Sequence, residues 1–372
     1  MRTPLLLLLA PLVACAPSSP SSSGSSGAPW NLETVRADTT DGIRILVLHD
    51  MEGLSGQTDP GSFRFGHPLY PTGQEMLAAD VNAVVAGLYA GGATEVFVVD
   101  GHGSGNADPD LRRDLLDPRV QQIMKDAPFD AYFDLVTPKA YDAVAVVGMH
   151  SKTGSRGFAA HTFTLGIGIL INGQPITETE LVALSWGRQG IPVIFASGDD
   201  RLADDLKTMP WIEYVTVKTA TAADSADPRP VEEARADLTA HAQKAVENLR
   251  VGKAQAMRVP GKLRAGLKAV PPASLAMFDG IPGIPYSDST LFFEADSLRH
   301  AYDILVQLIG VATSGSTAPL TRALAADSAG ARLLRDHNVR RRLTWFDYES
   351  GRWQPTPPPP GITEVRRGHG YR

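Results

Sequence analysis

Two acidic residues separated by a single methionine, Asp50 and Glu52, follow an apolar run in the segment RILVLHDMEGLSG (44–56). Side chains alternate along an extended strand, so these carboxylates point to the same side and repel each other unless a cation lies between them. His102 and His150 each follow another apolar run further along the chain. Carboxylate and imidazole groups are the ligands that suit zinc and related divalent metals. These residue types, repeated at the ends of successive runs, predict a metal site.

Glu178 is a fifth candidate ligand, because it follows a predicted hairpin and starts a predicted helix. Five ligands are more than one tetrahedral zinc ion requires. Two metals that share a carboxylate would use all five and leave positions open for water. The spacing is therefore compatible with a dinuclear centre.

Each ligand also has a simpler interpretation. Asp50 would serve as a polar residue that ends a strand, His102 as a loop histidine and His150 as a capping group. Glu178 would serve as an acid in the first turn of a helix, where the helix dipole favours it. The recurrence of these residues at successive strand ends favours metal binding over four separate roles.

The elements that must position these residues alternate between strands and helices. Buried apolar runs typical of parallel strands lie at 43–50, 94–100, 141–150 and 191–200. The alternation predicts an α/β fold, with a mostly parallel sheet flanked by helices and ligands at the carboxyl ends of its strands. His49 points away from the Asp50 side and is expected to pack in the interior or to support a ligand residue from behind. Asp199 and Asp200 are expected to cap the following helix.

A second unit is predicted from the remaining pattern. Residues 158–176 alternate β-branched residues with glycines and contain an Asn172-Gly173 turn signal, which predicts a hairpin with His161 at its beginning. Short strands and a helix later in the chain predict a smaller α+β domain. The predicted units are the metal-binding α/β domain at 42–249, the α+β domain at 250–315, and a helical C-terminal extension with a Pro-rich tail at 316–372.

The first residues have the features of a bacterial export signal. Residues 1–15 contain an early arginine and an apolar run, and Leu12–Cys15 resembles a lipobox, in which Cys15 is lipidated. The alternative is an ordinary signal peptide with a chance cysteine. Residues 16–41 are expected to be a flexible tether rich in Ser, Pro and Gly. These features predict an exported protein that is lipid-anchored to the cell envelope, on the periplasmic or outer-surface side.

Bulk composition limits the classes of partner. The 372 residues are 43% hydrophobic and carry a net charge of −6, which suits a globular protein and not a nucleic-acid binder. After residue 20, no run has the length and apolarity of a membrane span. Contact with a membrane is therefore expected only through the N-terminal lipid anchor.

The order of the motifs resembles the DppA-type zinc D-aminopeptidase family of bacteria. The matching pieces cover about residues 43–315 and are DMEGLSG (50–56), EVFVVDGHGS (95–104), AVVGMHS (145–151), GFAAHTF (157–163), INGQPITETEL (171–181), IPVIFASGDD (191–200) and, more weakly, 281–305. The resemblance implies two zinc ions per subunit, ligands Asp50, Glu52, His102, His150 and Glu178, and a bridging role for Asp50. It implies that His161 is the active-site histidine. Glu178 is preferred over Glu180 because it keeps its distance from INGQP without a gap.

The resemblance also implies an activity, which is hydrolysis of short peptides by a metal-dependent aminopeptidase using metal-activated water. D-amino-acid peptides, such as those with D-Ala, are candidate substrates, and the choice between L- and D-residues stays open. The family forms homo-oligomers. A non-catalytic lipoprotein that binds peptides or metal is the alternative. A metal hydrolase acting on a phosphoester ranks lowest, because no phosphate-binding glycine loop with a lysine is present.

Overall fold

The computed structural model describes residues 29–124, 130–259, 261–271, 273–314 and 318–354. The strands in these ranges are β1 (Asn31–Val35), β2 (Arg44–His49), β3 (Glu95–Asp100), β4 (Gln121–Gln122), β5 (Ala143–Val147), β6 (Ile167–Ile171), β7 (Gln174–Ile176), β8 (Val193–Asp199), β9 (Glu213–Ala222), β10 (Ser225–Pro228), β11 (Ala254–Arg258), β12 (Leu263–Ala269), β13 (Tyr286–Ser287) and β14 (Thr290–Ala295). The α-helices are α1 (Tyr70–Gly91), α2 (Glu178–Gly187), α3 (Asp200–Asp205), α4 (Val231–Arg250), α5 (Leu298–Ser314), α6 (Ala318–Ala325) and α7 (Ser328–Glu349).

The central sheet has seven strands in the order β10-β9-β8-β5-β2-β3-β4. Only β10 runs antiparallel to its neighbour in this sheet, and the other pairs are parallel. The predicted α/β class with a mostly parallel sheet is therefore confirmed.

Strand β2 shows why its sequence is a continuous apolar run. Leu46 and Leu48 pack into the hydrophobic core on one face of the sheet, together with Leu181 of α2. Ile45 and Val47 pack into the core on the other face, which α1 and α4 cover. Because both faces are covered, alternating polar positions would leave unsatisfied groups in the interior.

A second sheet of five antiparallel strands has the order β13-β14-β12-β6-β7. The hairpin β6–β7 turns at Asn172 and Gly173, whose positive φ values of 50° and 83° are those that a tight hairpin turn requires. Its strand β6 pairs with β12, so the predicted domain boundary at 249/250 cuts through one sheet. The pairing joins Ile171 to Ala265, and no local pattern in the sequence indicates a partner so far along the chain.

The start of the described chain also corrects the predicted tether. Residues 31–35 form β1, which pairs antiparallel with β11, so the tether predicted to reach residue 41 contains a strand. Trp30 is buried ahead of it. The remote partner strand supplies the hydrogen bonds that the local composition did not predict.

The C-terminal extension contains α6 and α7, and α7 ends at Glu349. The signal peptide, Cys15, tether residues 16–28 and the Pro-rich tail from 355 lie outside the described residues. Among the helices that the structure describes, none has the length and apolarity needed to cross a membrane.

Candidate metal centre

The carboxyl ends of three parallel strands bring the predicted ligands together. His49, the last residue of β2, is in register with Asp100 of β3 and Val147 of β5. Asp50 and His150, just past the ends of β2 and β5, therefore meet at one edge of the sheet. The side chain of Asp100 accepts the backbone N–H of His102 at 2.8 Å and so sets the start of the loop that carries this histidine.

One group of ligands surrounds His102. Its Nδ1 atom lies 2.8 Å from Oδ1 of Asp50 and 3.0 Å from Oε2 of Glu52. All three side chains are almost completely buried. One ligand atom from each lies within 4.8 Å of the others, which is close enough to hold a single metal ion.

A second group forms on the other side of Asp50. Nε2 of His150 lies 3.4 Å from Oδ2 of Asp50 and 3.7 Å from Oε1 of Glu178. These three residues also present ligand atoms within 4.8 Å of one another. Asp50 thus belongs to both groups and directs one oxygen toward each, which is the placement expected of a bridging carboxylate.

The hydrogen bonds of the two histidines fix which ring nitrogen is free. Nε2 of His102 lies 3.0 Å from the carbonyl oxygen of Phe63, and Nδ1 of His150 lies 3.0 Å from that of Ser151. A carbonyl oxygen only accepts, so each of these nitrogens carries the hydrogen. The opposite nitrogen of each ring faces the carboxylates, and its lone pair becomes available to a metal when that nitrogen carries no proton.

Burial and proximity shift the pKa of Glu52 and of the two histidines that face the carboxylates. Burial raises the pKa of Glu52, and the charge of Asp50 raises it further, to about 7. Burial opposes protonation of His150, but the nearby Glu178 and Asp50 outweigh it and raise the pKa of this histidine to about 10. Burial likewise opposes protonation of His102, and the same kind of attraction holds its pKa well above the usual value. The clustered carboxylates therefore require positive charge beside them, either from protonated imidazoles or from metal cations.

His161 lies beside the second group. Its ring stacks on that of His150, with 4.0 Å between centroids and an interplanar angle of 7°. Its Nδ1 hydrogen is directed to the carbonyl oxygen of Ala159 at 2.7 Å, so Nε2 has the free lone pair. Burial and the neighbouring His150 lower the pKa of His161 to about 4, which keeps this ring neutral near pH 7.

The backbone around His161 is strained. Ala159 and Phe163 have φ values of 54° and 57°, in the left-handed region that residues with a side chain rarely adopt. The N–H of Phe163 donates to Oε1 of Glu178 at 2.7 Å, which ties this loop to the metal ligands.

Glu178 and Glu180 have different environments although both are buried. Glu178 faces Asp50 and His150, whereas Glu180 forms the capping box of α2 with Thr177 and lies away from the centre. The helix turn directs residues two apart to different sides, so the structure brings Glu178, and not Glu180, into the cluster.

Two residues near the centre, Tyr132 and Lys218, are not indicated by the sequence patterns. The hydroxyl of Tyr132 donates to Oε2 of Glu178. Nζ of Lys218 donates to the carbonyl oxygen of Glu52 and to Oε1 of Gln57, both at 2.6 Å, and burial lowers the pKa of this lysine to about 7. A lysine inside the alternating strand β9 was the one available signal, because buried lysines are rare without a specific partner.

Two further predictions concern residues outside the cluster. Asp199 caps α3 as expected, since its side chain accepts the N–H of Leu202 at 2.8 Å. His49 is fully buried as expected, with Nδ1 3.9 Å from Asp100, and it does not join the ligand groups.

A cavity of about 210 Å³ opens on the cluster. Glu52, His102 and His161 line it together with Arg341 and Arg342 of α7. This volume is below the range of about 300–1,000 Å³ that is common for small-molecule pockets. The cavity therefore suits a ligand with one or two small residues next to the metal ligands.

The donor set fits divalent metal ions. The two groups offer three carboxylates and two imidazoles, and the ring of His161 forms a further set of close ligand atoms with Glu52 and His150. The ligand groups that the structure describes contain no cysteine. Their nitrogen and oxygen donors therefore suit zinc or a similar divalent ion. The fold and this centre define an α/β protein with a metal site at its strand ends.

Comparison with known proteins identifies the family. Residues 43–307 match the family of D-aminopeptidases, and the chain belongs to that family. A D-aminopeptidase of Bacillus subtilis (strain 168) is 28% identical over 179 residues, which are 47% of this chain and 64% of that protein. The match thus spans slightly less than two thirds of that relative. The predicted family is confirmed.

The solved structures show the same fold. The Zn-dependent D-aminopeptidase DppA from Bacillus subtilis, described as a self-compartmentalizing protease, superposes with a TM-score of 0.66 at 23% sequence identity. The superposition covers 74% of this chain and 99% of that one. About a quarter of this chain therefore has no counterpart there.

Proposed function

We propose that this protein is a zinc-dependent aminopeptidase that hydrolyses short peptides, with D-Ala-containing peptides among its substrates. The observation that carries the proposal is Asp50, whose two oxygens face two separate groups of ligands. Family membership and the zinc dependence of the B. subtilis relative support it.

Two zinc ions would be held by Asp50, Glu52, His102, His150 and Glu178, with Asp50 between them. When bound, such ions activate water and polarise a scissile carbonyl group. The enclosed cluster excludes bulk water, and its carboxylates would attract the free amine of a peptide. Because the amino end of the peptide would be held at the cluster, cleavage would remove the first residue of the peptide.

His161 is placed to handle a proton. Its Nε2 lone pair is free, its ring is neutral near pH 7, and it lines the cavity beside the ligands. A neutral imidazole accepts a proton from an attacking water and returns it to the leaving amine. Nδ1 of His161 cannot accept this proton, because it already carries a hydrogen that it donates to the carbonyl oxygen of Ala159.

Assembly and location follow from other observations. The relative is self-compartmentalizing, and we propose that this chain also forms a homo-oligomer. The lipobox and tether of the sequence support anchoring by Cys15 at the cell envelope. Peptides outside the cytoplasm would then be its substrates.

The test combines metal analysis with turnover of a panel of L- and D-aminoacyl dipeptides. The expected result is two zinc ions per chain, turnover that chelation removes and zinc restores, and loss of both metal and activity in His102→Ala. Full hydrolysis of D-Ala-D-Ala by His102→Ala would overturn the proposal. Peptide binding without turnover in the zinc-loaded protein would favour the non-catalytic lipoprotein instead.

A further inference from the structure

The wall of the cavity contains residues from outside the family region. The family match ends at residue 307, whereas α7 begins at Ser328. Three side chains of α7 nevertheless line the same cavity as the metal ligands, and they are Arg341, Arg342 and Phe346. The extension is therefore part of the site and not an appended tail.

The end of α7 is firmly attached to the loop of His161. Trp345 is 2% exposed, and its Nε1 donates to the carbonyl oxygen of Ala160 at 3.0 Å. The carboxylate of Glu349 accepts the backbone N–H groups of Gly154 at 2.7 Å and Arg156 at 2.9 Å. These contacts fix the position of the preceding helical turn, which carries the two arginines, relative to the metal ligands.

A third arginine, Arg64, lines the cavity with Arg341 and Arg342. Among the described residues, none places a carboxylate within 4 Å of these three guanidinium groups, and none accepts a hydrogen bond from them. Burial and the charges of Arg64 and Arg341 lower the pKa of Arg342. The carboxylate of Glu52 lines the same cavity and partly offsets this effect on Arg342, but it forms no ion pair with the three arginines, so an anionic ligand would relieve their mutual repulsion.

We propose that Arg64, Arg341 and Arg342 bind the terminal carboxylate of a short peptide whose amino end faces the metal ligands. Guanidinium groups bind carboxylates through paired, charge-assisted hydrogen bonds, and these are stronger than neutral ones. The proposal rests on the proposed function, since it requires a peptide substrate. It makes the extension a specificity element that selects peptides by length and by their free carboxyl end.

The geometry favours very short peptides. Each added residue moves the carboxylate about 3.3–3.6 Å further from the scissile bond in an extended chain. The metal ligands and the arginines line the same cavity of about 210 Å³, so only a short peptide fits between them. A dipeptide carboxylate is therefore the preferred ligand.

The test compares D-Ala-D-Ala with its C-terminal amide, D-Ala-D-Ala-NH₂, on the zinc-loaded full chain. Loss of one charge-assisted hydrogen bond corresponds to about a ten- to hundredfold change in affinity. We expect the KM of the acid to be lower than that of the amide by this factor. Arg342→Gln should raise the KM of the acid to that of the amide and leave kcat within about twofold. Arg340→Gln is the matched control, because Arg340 is exposed on the same helix and does not line the cavity.

A binding measurement separates this inference from the proposed function. Calorimetric titration of the metal-free protein with the same two dipeptides should show the same preference for the acid, and Arg342→Gln should lose it. If the wild-type protein hydrolyses neither peptide, the proposed function fails, and the titration still decides the inference. Equal KM and equal affinity for acid and amide would overturn the inference while the function stands. If Arg342→Gln does not fold by circular dichroism, Arg341→Gln, at an exposed position, replaces it.

Discussion

Replacement of Glu178 by glutamine tests the assignment of the metal ligands most directly. Glutamine keeps the size of the side chain and one oxygen for the N–H of Phe163, which now donates to Glu178 at 2.7 Å. Its amide nitrogen also has a partner in the hydroxyl of Tyr132, which now bonds to Glu178. The substitution thus removes the charge that faces His150 without opening a cavity.

The expected loss of metal affinity follows from the number of ligands. Structural zinc sites with four ligands contribute about 10–16 kcal/mol of binding free energy, or about 3 kcal/mol per ligand. Removing one anionic ligand should therefore weaken zinc binding at the second group about a hundredfold. The first group, around His102, does not contain Glu178 and should keep its ion.

Glu180→Gln is the matched control for this prediction. Glu180 is also buried on α2, but its side chain accepts the backbone N–H of Thr177 at 2.8 Å and a hydroxyl hydrogen from Thr208 at 2.6 Å. Its replacement should cost about 1 kcal/mol of helix-cap stability and leave zinc binding unchanged.

The assay is competition with a chromophoric chelator, combined with zinc analysis after dialysis. Wild type and Glu180→Gln should retain two ions, whereas Glu178→Gln should retain one under a chelator concentration between the two affinities. If Glu178→Gln binds two ions as tightly as wild type and Glu180→Gln loses one, the assignment of these two glutamates is reversed.

Three further predictions concern the bridging residue, the proton-transfer residue and the attachment of α7. Asp50→Asn should reduce zinc content at both positions, and a variant that keeps two ions by elemental analysis would exclude a bridge. His161→Gln should keep both ions and lose about 10²–10⁴-fold in kcat, so a change in zinc content instead would make it a ligand. Burial raises the pKa of Glu349 to about 7, so its stabilising contribution is full below pH 4.5 and is lost as pH rises through 7. Urea unfolding should show this loss, at most about 3 kcal/mol, and Glu349→Gln should flatten it, whereas an unchanged slope contradicts the assignment.

Much of the fold and the ligand cluster could be predicted because they depend on local patterns. The apolar runs of β2, β3 and β5 gave parallel strands, and parallel strands end at one edge, so Asp50, His102 and His150 had to approach each other. The helix start at Glu178 was visible from the hairpin before it. Periodicity and strand direction were sufficient for this part.

The rest depends on contacts between distant parts of the chain. Pairing of β6 with β12 and of β1 with β11 leaves no local trace, so the predicted boundary and tether were misplaced. Tyr132 and Lys218 reach the centre from a turn and from a neighbouring strand, and nothing in their own segments indicates the ligands they contact. The position of α7 over the cavity is likewise set by long-range packing of Trp345.

The attachment of α7 has a consequence for biosynthesis. Chains fold largely in the order in which they emerge, so the strands that carry the ligands are complete well before Trp345 and Glu349 appear. The cavity wall and the fixed position of the His161 loop therefore come last. A partly synthesised chain would bind metal with one side of its site open, and substrate selection would begin only when the final helix docks.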